Sequence, residues 1–335
     1  MVRNKKSKKD EDTQMIFGED NFKFKAADFY PFKDQAEIDR VRAITFEDIV
    51  AMNGKHPSGN PNLTIELMKD SEVGMVKIAD MLKRIIDSDR YDKKCVMIMP
   101  NPSPSYRQVA YYLHELNVNC RNVKFYMMDE WADEDGNIAP LSYKAGFGNA
   151  FYRNMVANIL DLGFKEENFI YHSNKITPDY SKMLEQDGEA DAVYSGPGWP
   201  GHLAFIDPVE DWYKPTMEEY LEQGAKVANL HPLTIAQNSL HGAFGCSGDI
   251  SKVPPKGAMM GPRDAMKAKN VIDHHALLTA GTHVSWQRLT SRLCVFGKPS
   301  QEVPTSMLQL RDKPTRFIIS ESAAATIKPD YFFQY

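Results

Sequence analysis

Apolar positions recur at helical spacing between residues 65 and 86, at Leu67, Val73, Val76, Ile78, Met81, Leu82 and Ile85, and predict an amphipathic helix there. Downstream the pattern changes to short apolar runs, each closed by small or polar residues. These runs fall at 95–99 before PNPSPS, 123–128 before DEW, 192–194 before SGPGWPGH, 276–279 before AGTH and 317–319 before SESAAA. Each reads as a buried strand with a loop behind it. Segments 106–116, 143–160 and 217–227 can form helices between them. Strands apolar on both faces and joined by helices predict a doubly wound, mainly parallel α/β sheet flanked by helices. Residues 1–60 lack this rhythm and end in the turn-rich KHPSGNPN, so an N-terminal extension over 1–60 and an α/β domain over 61–335 are expected.

Ligands of such sheets bind outside the carboxyl ends of the strands, which makes the post-strand loops the place to look for chemistry. The loop GPGWPGHLAFIDP combines Gly196, Gly198 and Gly201, which permit close backbone approach, with His202 five residues before Asp207. A carboxylate at that spacing can orient an imidazole for proton transfer near neutral pH, although a lone histidine in a Gly/Pro loop is more often structural. In a second loop, Met128-Asp129-Glu130-Trp131, strand alternation turns the adjacent acids to opposite sides, so one of them faces the crevice. It serves equally as a proton acceptor beside a carbonyl or as a helix N-cap.

Composition narrows the classes. With 40 Lys+Arg against 45 Asp+Glu, the net charge of −5 is too balanced for a dedicated nucleic-acid or membrane-surface binder, which leaves a small-molecule partner. Cys95, Cys120, Cys246 and Cys294 form no CxxC pair, so a reduced, cytoplasmic protein is expected. Acids follow the basic start of the chain where a secretory signal would be apolar, and no stretch has the length of a membrane span. His274-His275 point to opposite strand faces and no metal-ligand spacing occurs, so no metal is expected. Gly196-Pro197-Gly198 lacks the dinucleotide fingerprint, so no nicotinamide cofactor is expected either.

The MDEW loop, Ser142-Tyr143, GPGWPGHLAFIDP, Ala236-Gln237-Asn238-Ser239 and Ala280-Gly281-Thr282-His283 stand in the order seen in glucosamine-6-phosphate deaminases, whose motifs read MDEY and GxGxDGHIAFNEP. The chain resembles that family over roughly residues 65 to 325 and, less well, the related 6-phosphogluconolactonases. The resemblance implies a Rossmann-like fold, a homo-oligomer, and conversion of glucosamine 6-phosphate to fructose 6-phosphate and ammonia by isomerisation and loss of the amine. It places the C2 base on Asp129, the ring-opening histidine on His202 and its supporting acid on Asp207, with Glu130, Gly198 and Gly201 as neighbouring substrate contacts.

Departures cluster around the substrate's charges. The family's aspartate two residues before the histidine is Pro200, which removes a carboxylate and a backbone donor together. The phosphate loop becomes Asn101-Pro102-Ser103-Pro104-Ser105, where Asn101, Ser103 and Ser105 remain as candidate donors. The family's phosphate arginine falls on Ile235 and its lysine on Val284, leaving Arg263 as a candidate substitute. The expected function is an amino-sugar phosphate deaminase/isomerase; the alternative is a sugar-binding or regulatory member with altered specificity or no turnover, and lactone hydrolysis ranks third.

Overall fold

The structure, a computed structural model, describes residues 22–100, 103, 105–279 and 282–328. Its strands in chain order are β1 (Leu63–Met68), β2 (Cys95–Met99), β3 (Val123–Met127), β4 (Asp129–Ala132), β5 (Phe169–Ile170), β6 (Ala192–Ser195), β7 (Lys226–Asn229), β8 (Lys256–Met259), β9 (Val271–His275), β10 (Leu278–Thr279), β11 (Thr282–His283) and β12 (Thr315–Ser320). Seven of them form one sheet in the order β1-β12-β9-β6-β2-β3-β5. All neighbours in it are parallel. β4, β8 and β7 make a small antiparallel sheet, and β10 pairs with β11.

The central strands are apolar throughout because helices cover both faces: every residue of β2 and β6 is buried. From β2 the chain winds outward through β3 to β5, and from β6 it winds the other way through β9 and β12 towards β1. Connections leaving in opposite directions open a crevice at the carboxyl ends of β2 and β6. Ser103 and Ser105 follow β2, and the Gly196–Asp207 segment follows β6, so both flank that switch point.

Four elements differ from expectation. The helix expected over 65–86 is preceded by the edge strand β1, whose LTIELM alternates at period two, and the helix itself runs Asp70–Arg90. Of the strand expected at 276–279 only the two-residue β10 forms, and the strand of the seven-stranded sheet lies earlier, at β9, where Asp273 and His275 hide their polarity in hydrogen bonds to Ser195, to Ser291 and to each other. The helix expected over 143–160 is Phe147–Asn154 followed by 3-10 turns. That expected over 217–227 stops at Leu221 and becomes β7.

The described residues from 31 to 328 form one compact unit. Within it the helix Gln35–Arg42 docks on the helix Gln287–Phe296: Arg40 Nη2 donates to the Phe296 carbonyl at 2.6 Å, and Lys298 N donates to Glu37 Oε1 at 2.7 Å. Residues 22–30 belong to a separate unit, exposed for most of its length, in which Lys25 pairs with Asp28. Among the described residues no helix is long and apolar enough to cross a membrane.

Candidate active site

The loop behind β6 is shaped by what its glycines leave out. A Cβ on Gly196 would stand 2.6 Å from the His274 carbonyl, so only glycine lets the chain leave β6 against β9. A Cβ on Gly198 would stand 2.0 Å from His202 Nε2, which places the imidazole directly against the Gly198 backbone. Gly201 turns the chain at φ +78°, and its carbonyl accepts from Thr305 N at 2.8 Å while that of His202 accepts from Thr305 Oγ1 at 2.7 Å.

His202 is 5% exposed. Its Nδ1 lies 2.7 Å from Asp207 Oδ1 and 3.1 Å from Thr234 Oγ1. Thr234 Oγ1 donates to the same Asp207 oxygen at 2.8 Å, and Asp207 Oδ2 accepts from His231 N at 2.7 Å. Asp207 is thereby fixed through both oxygens and holds the Nδ1 proton, leaving Nε2 with the lone pair for proton transfer. His231 begins the helix Pro232–Ser239 that carries Thr234, so one helix end orients the acid that orients the histidine.

Asp129 opens β4 immediately after β3. Met128 N donates to the Met99 carbonyl and Met260 N to that of Met128, which puts Asp129 beside the carboxyl end of β2, at the edge that also carries the His202 loop. The residue is 4% exposed and its Oδ1 is sealed without a hydrogen-bond partner. Burial, with the Glu130 carboxylate adding to it, holds its pKa well above the usual carboxylate range. Packed rings connect the two loops: Trp131 lies 4.8 Å from Phe205, and Phe205 lies 5.9 Å from His202.

Glu130 turns the other way, and its expected contact with substrate gives way to a structural role. Its carboxylate accepts from Trp131 N, Phe147 N and Gly148 N at 2.8–3.1 Å, and so caps the helix Phe147–Asn154. Arg263 likewise departs from expectation: its guanidinium is 12% exposed and pairs with Glu185 at 3.1 Å and Glu189 at 3.8 Å, so its charge is already answered. Ser103 and Ser105 share a hydroxyl hydrogen bond at 2.7 Å where the chain leaves β2. Asn101 lies outside the described residues, as do Ala280 and Gly281.

Two contributors escape the sequence reading. Thr234 stands 32 residues beyond His202, with no local signal of its role. His241 lies close enough to His202 that burial, and then that neighbour, lower its pKa; its Nε2 has no partner. His274 and His275 do face apart: His275 bonds Asp273 and Ser291, whereas His274 Nδ1 lies 3.2 Å from the Ser195 carbonyl. Among the described residues no group of three or more His, Cys, Asp or Glu is placed to hold a metal ion. A cleft of about 430 Å³ opens beside Trp131, Asp133, Tyr143 and Lys252, but neither Asp129, His202 nor Asp207 lines it. Hydrogen-bonded geometry, rather than cleft size, therefore marks the candidate site.

No family model matches the chain. It is 24% identical over 251 residues to the glucosamine-6-phosphate deaminase of Caenorhabditis elegans, covering 74% of this chain and 85% of that protein. A similar deaminase of Clostridium botulinum (strain Eklund 17B) is 24% identical over 237 residues, covering 69% and 83%. A solved monomeric glucosamine-6-phosphate deaminase, described as a missing link of the NagB superfamily, superposes with a TM-score of 0.63 at 16% identity, over 78% of this chain and 99% of the other. The 6-phosphogluconolactonase of Leishmania guyanensis gives 0.54 at 13% identity, over 79% and 99%. The chain is thus similar in sequence to glucosamine-6-phosphate deaminases and shares its fold with them and with 6-phosphogluconolactonases.

Proposed function

We propose that the protein is an amino-sugar phosphate deaminase/isomerase, with glucosamine 6-phosphate as the reference substrate. The observation that carries this reading is His202, locked through Nδ1 to an aspartate that both Thr234 and a backbone amide hold, at the same sheet edge as the enclosed carboxyl of Asp129. His202 Nε2 moves a proton between the anomeric hydroxyl and the ring oxygen, which opens the sugar to its aldehyde. Asp129, ionised when it acts, removes the C2 proton, and that proton is returned at C1. The C2 imine so formed adds water and expels ammonia, leaving the 2-ketose: sugar amine and water are consumed, ketose and ammonia appear. Raising the pKa of Asp129 suits this task, because a more basic carboxylate is a stronger acceptor for a carbon-bound proton.

Ammonia release from glucosamine 6-phosphate by the full chain, with Asp129→Asn as the paired control, tests the assignment. Release that disappears in the variant supports it; equal release from both proteins refutes it. Pro200 and the paired Arg263 favour a second reading, a sugar-binding member with altered specificity or without turnover. Saturable binding of the sugar phosphate with no ammonia produced would select that reading instead.

A further inference from the structure

An anionic substrate needs a cation, and the deeply buried arginines of the compact unit are engaged. Arg263 pairs with two glutamates, Arg292 donates to backbone carbonyls including those of Ile44 and Ala324, and Arg311 donates to the carbonyls of Met266 and Ala268. Lys77 differs. It is half-buried on the helix Asp70–Arg90, with Nζ 5.0 Å from the centre of the Tyr106 ring, and it makes no hydrogen bond or ion pair with any described residue. Burial alone pushes its pKa down to about 8, with no carboxylate opposing the shift. A lysine charge partly withdrawn from water, with no counter-ion among the described residues, gains from a ligand anion that answers it.

Its surroundings set the direction in which it is answered. The helix begins directly after β1, at the carboxyl edge of the sheet, and long helical side chains lean back towards the helix N-terminus. Tyr106 begins the helix that follows Ser103 and Ser105 behind β2. His274, near the end of β9, is held down to about 4 by burial and then by the charge of Lys77. Its Nδ1 faces the Ser195 carbonyl and its Nε2 is sealed with no partner. One uncompensated cation and one unsatisfied imidazole nitrogen therefore converge near the switch point, beside the serine loop.

We propose that Lys77, with His274 beside it, binds the phosphate group of the substrate. Ammonium Nζ supplies the charge, and His274 Nε2 accepts a hydrogen bond from the P–OH of the monoanion, which keeps its proton. The proposal rests on the sugar-phosphate reading above, and it moves the anchor to a helix that carries neither Ile235 nor Val284, where the resemblance would put the family's cations.

Calorimetric titration of glucosamine 6-phosphate, glucosamine and inorganic phosphate into the full chain tests it, using the unmodified protein, Lys77→Met and Lys77→Arg. Methionine keeps an apolar stem over Tyr106 and removes the charge. We expect the unmodified protein to prefer the phosphorylated sugar by tenfold or more. Lys77→Met should lose roughly tenfold to a hundredfold in affinity for it and for inorganic phosphate, leave glucosamine binding unchanged, and unfold no earlier. Lys77→Arg should retain most of the preference. Binding of the phosphorylated sugar within twofold of the unmodified protein by Lys77→Met, equal losses for both sugars, or no preference for phosphate in the unmodified protein would each overturn the proposal. Ammonia release is read separately: the expected binding pattern without turnover refutes the deaminase reading and leaves Lys77 standing, whereas turnover insensitive to Lys77→Met does the reverse.

Discussion

Asp129→Asn is expected to abolish ammonia release and yet raise the unfolding temperature. The substitution is isosteric, and the unpartnered position of Oδ1 is common to both side chains, so what it removes is ionisation. Because burial raises the folded-state pKa, the fold favours the protonated carboxyl. At pH values below the ordinary carboxylate pKa, about 3.9, folded and unfolded chains are both protonated and the residue costs nothing. As pH rises beyond that point the unfolded chain ionises first, and the folded state loses about 1.4 kcal/mol per pH unit until its own pKa is reached. Taking about 1–3 kcal/mol for a poorly compensated buried group, the residue carries a penalty at neutral pH that asparagine lacks. The unit Pro31–Tyr335 holds about 300 residues, and an unfolding entropy of roughly 2.1 cal/mol/K per residue makes 1 kcal/mol worth about 1.6 °C. Thermal unfolding of the two proteins should therefore coincide near pH 4 and diverge by about 2–5 °C at pH 7–8, with the variant higher. A difference that is flat with pH, or a variant less stable at pH 8, would refute the argument that this carboxyl is held above its ordinary pKa.

Gly198→Ala should reduce ammonia release by about 100-fold, because the new methyl stands 2.0 Å from His202 Nε2 and the imidazole must move; kinetics alongside thermal unfolding will show activity lost before stability. Thr234→Val removes the hydroxyl that donates to Asp207 Oδ1 while leaving the His202–Asp207 contact, and should lower kcat about tenfold with KM unchanged. Glu130→Gln weakens the acceptor of three backbone amides and should lower stability by about 1–3 kcal/mol, with unchanged KM for the remaining enzyme. A raised KM without loss of stability would return Glu130 to substrate contact.

Much of the fold is legible in the pattern because β2 and β3 are apolar runs with turn-forming residues behind them. The elements that escape it obey rules a one-dimensional pattern does not carry. β9 reads VIDHH, and its polar residues are tolerable in the interior only because Ser195 and Ser291, 78 residues before and 18 after Asp273, sit where their hydroxyls reach Asp273 and His275 respectively. β1 is an edge strand with one partner, so its alternation merges with the helical stripe that follows. At the site, His202 and Asp207 are readable because a single loop carries both. Thr234 and His241 come from another part of the chain and join only when the helix Pro232–Ser239 docks. Glu130 and Arg263 show the opposite limit: residue type and position suggest ligand contacts, while the neighbours that occupy them, three amides and two glutamates, are visible only in three dimensions.

On the proposed reading, Pro200 illustrates how the proton-transfer groups and the substrate anchors are built from separable parts. Proline at that position removes a backbone donor, yet the loop on either side is held by other elements. Trp199 N donates to Gln237 Oε1 at 2.5 Å, the Trp199 carbonyl accepts from Thr290 Oγ1 at 3.0 Å, and the Gly201 carbonyl accepts from Thr305 N. The loop therefore keeps its path without an amide at residue 200, and His202 stays on Asp207 and against Gly198. What the proline does remove is a carboxylate, and with it a contact that a substrate cation such as a protonated amine would use. The same separation holds at the opposite charge, where Ile235 and Val284 carry no cation while Lys77, on another helix, has no ion pair among the described residues. A histidine–aspartate pair satisfied entirely within residues 202–234 imposes no requirement on which element supplies the anchoring charges, so those charges can change position while the proton path does not.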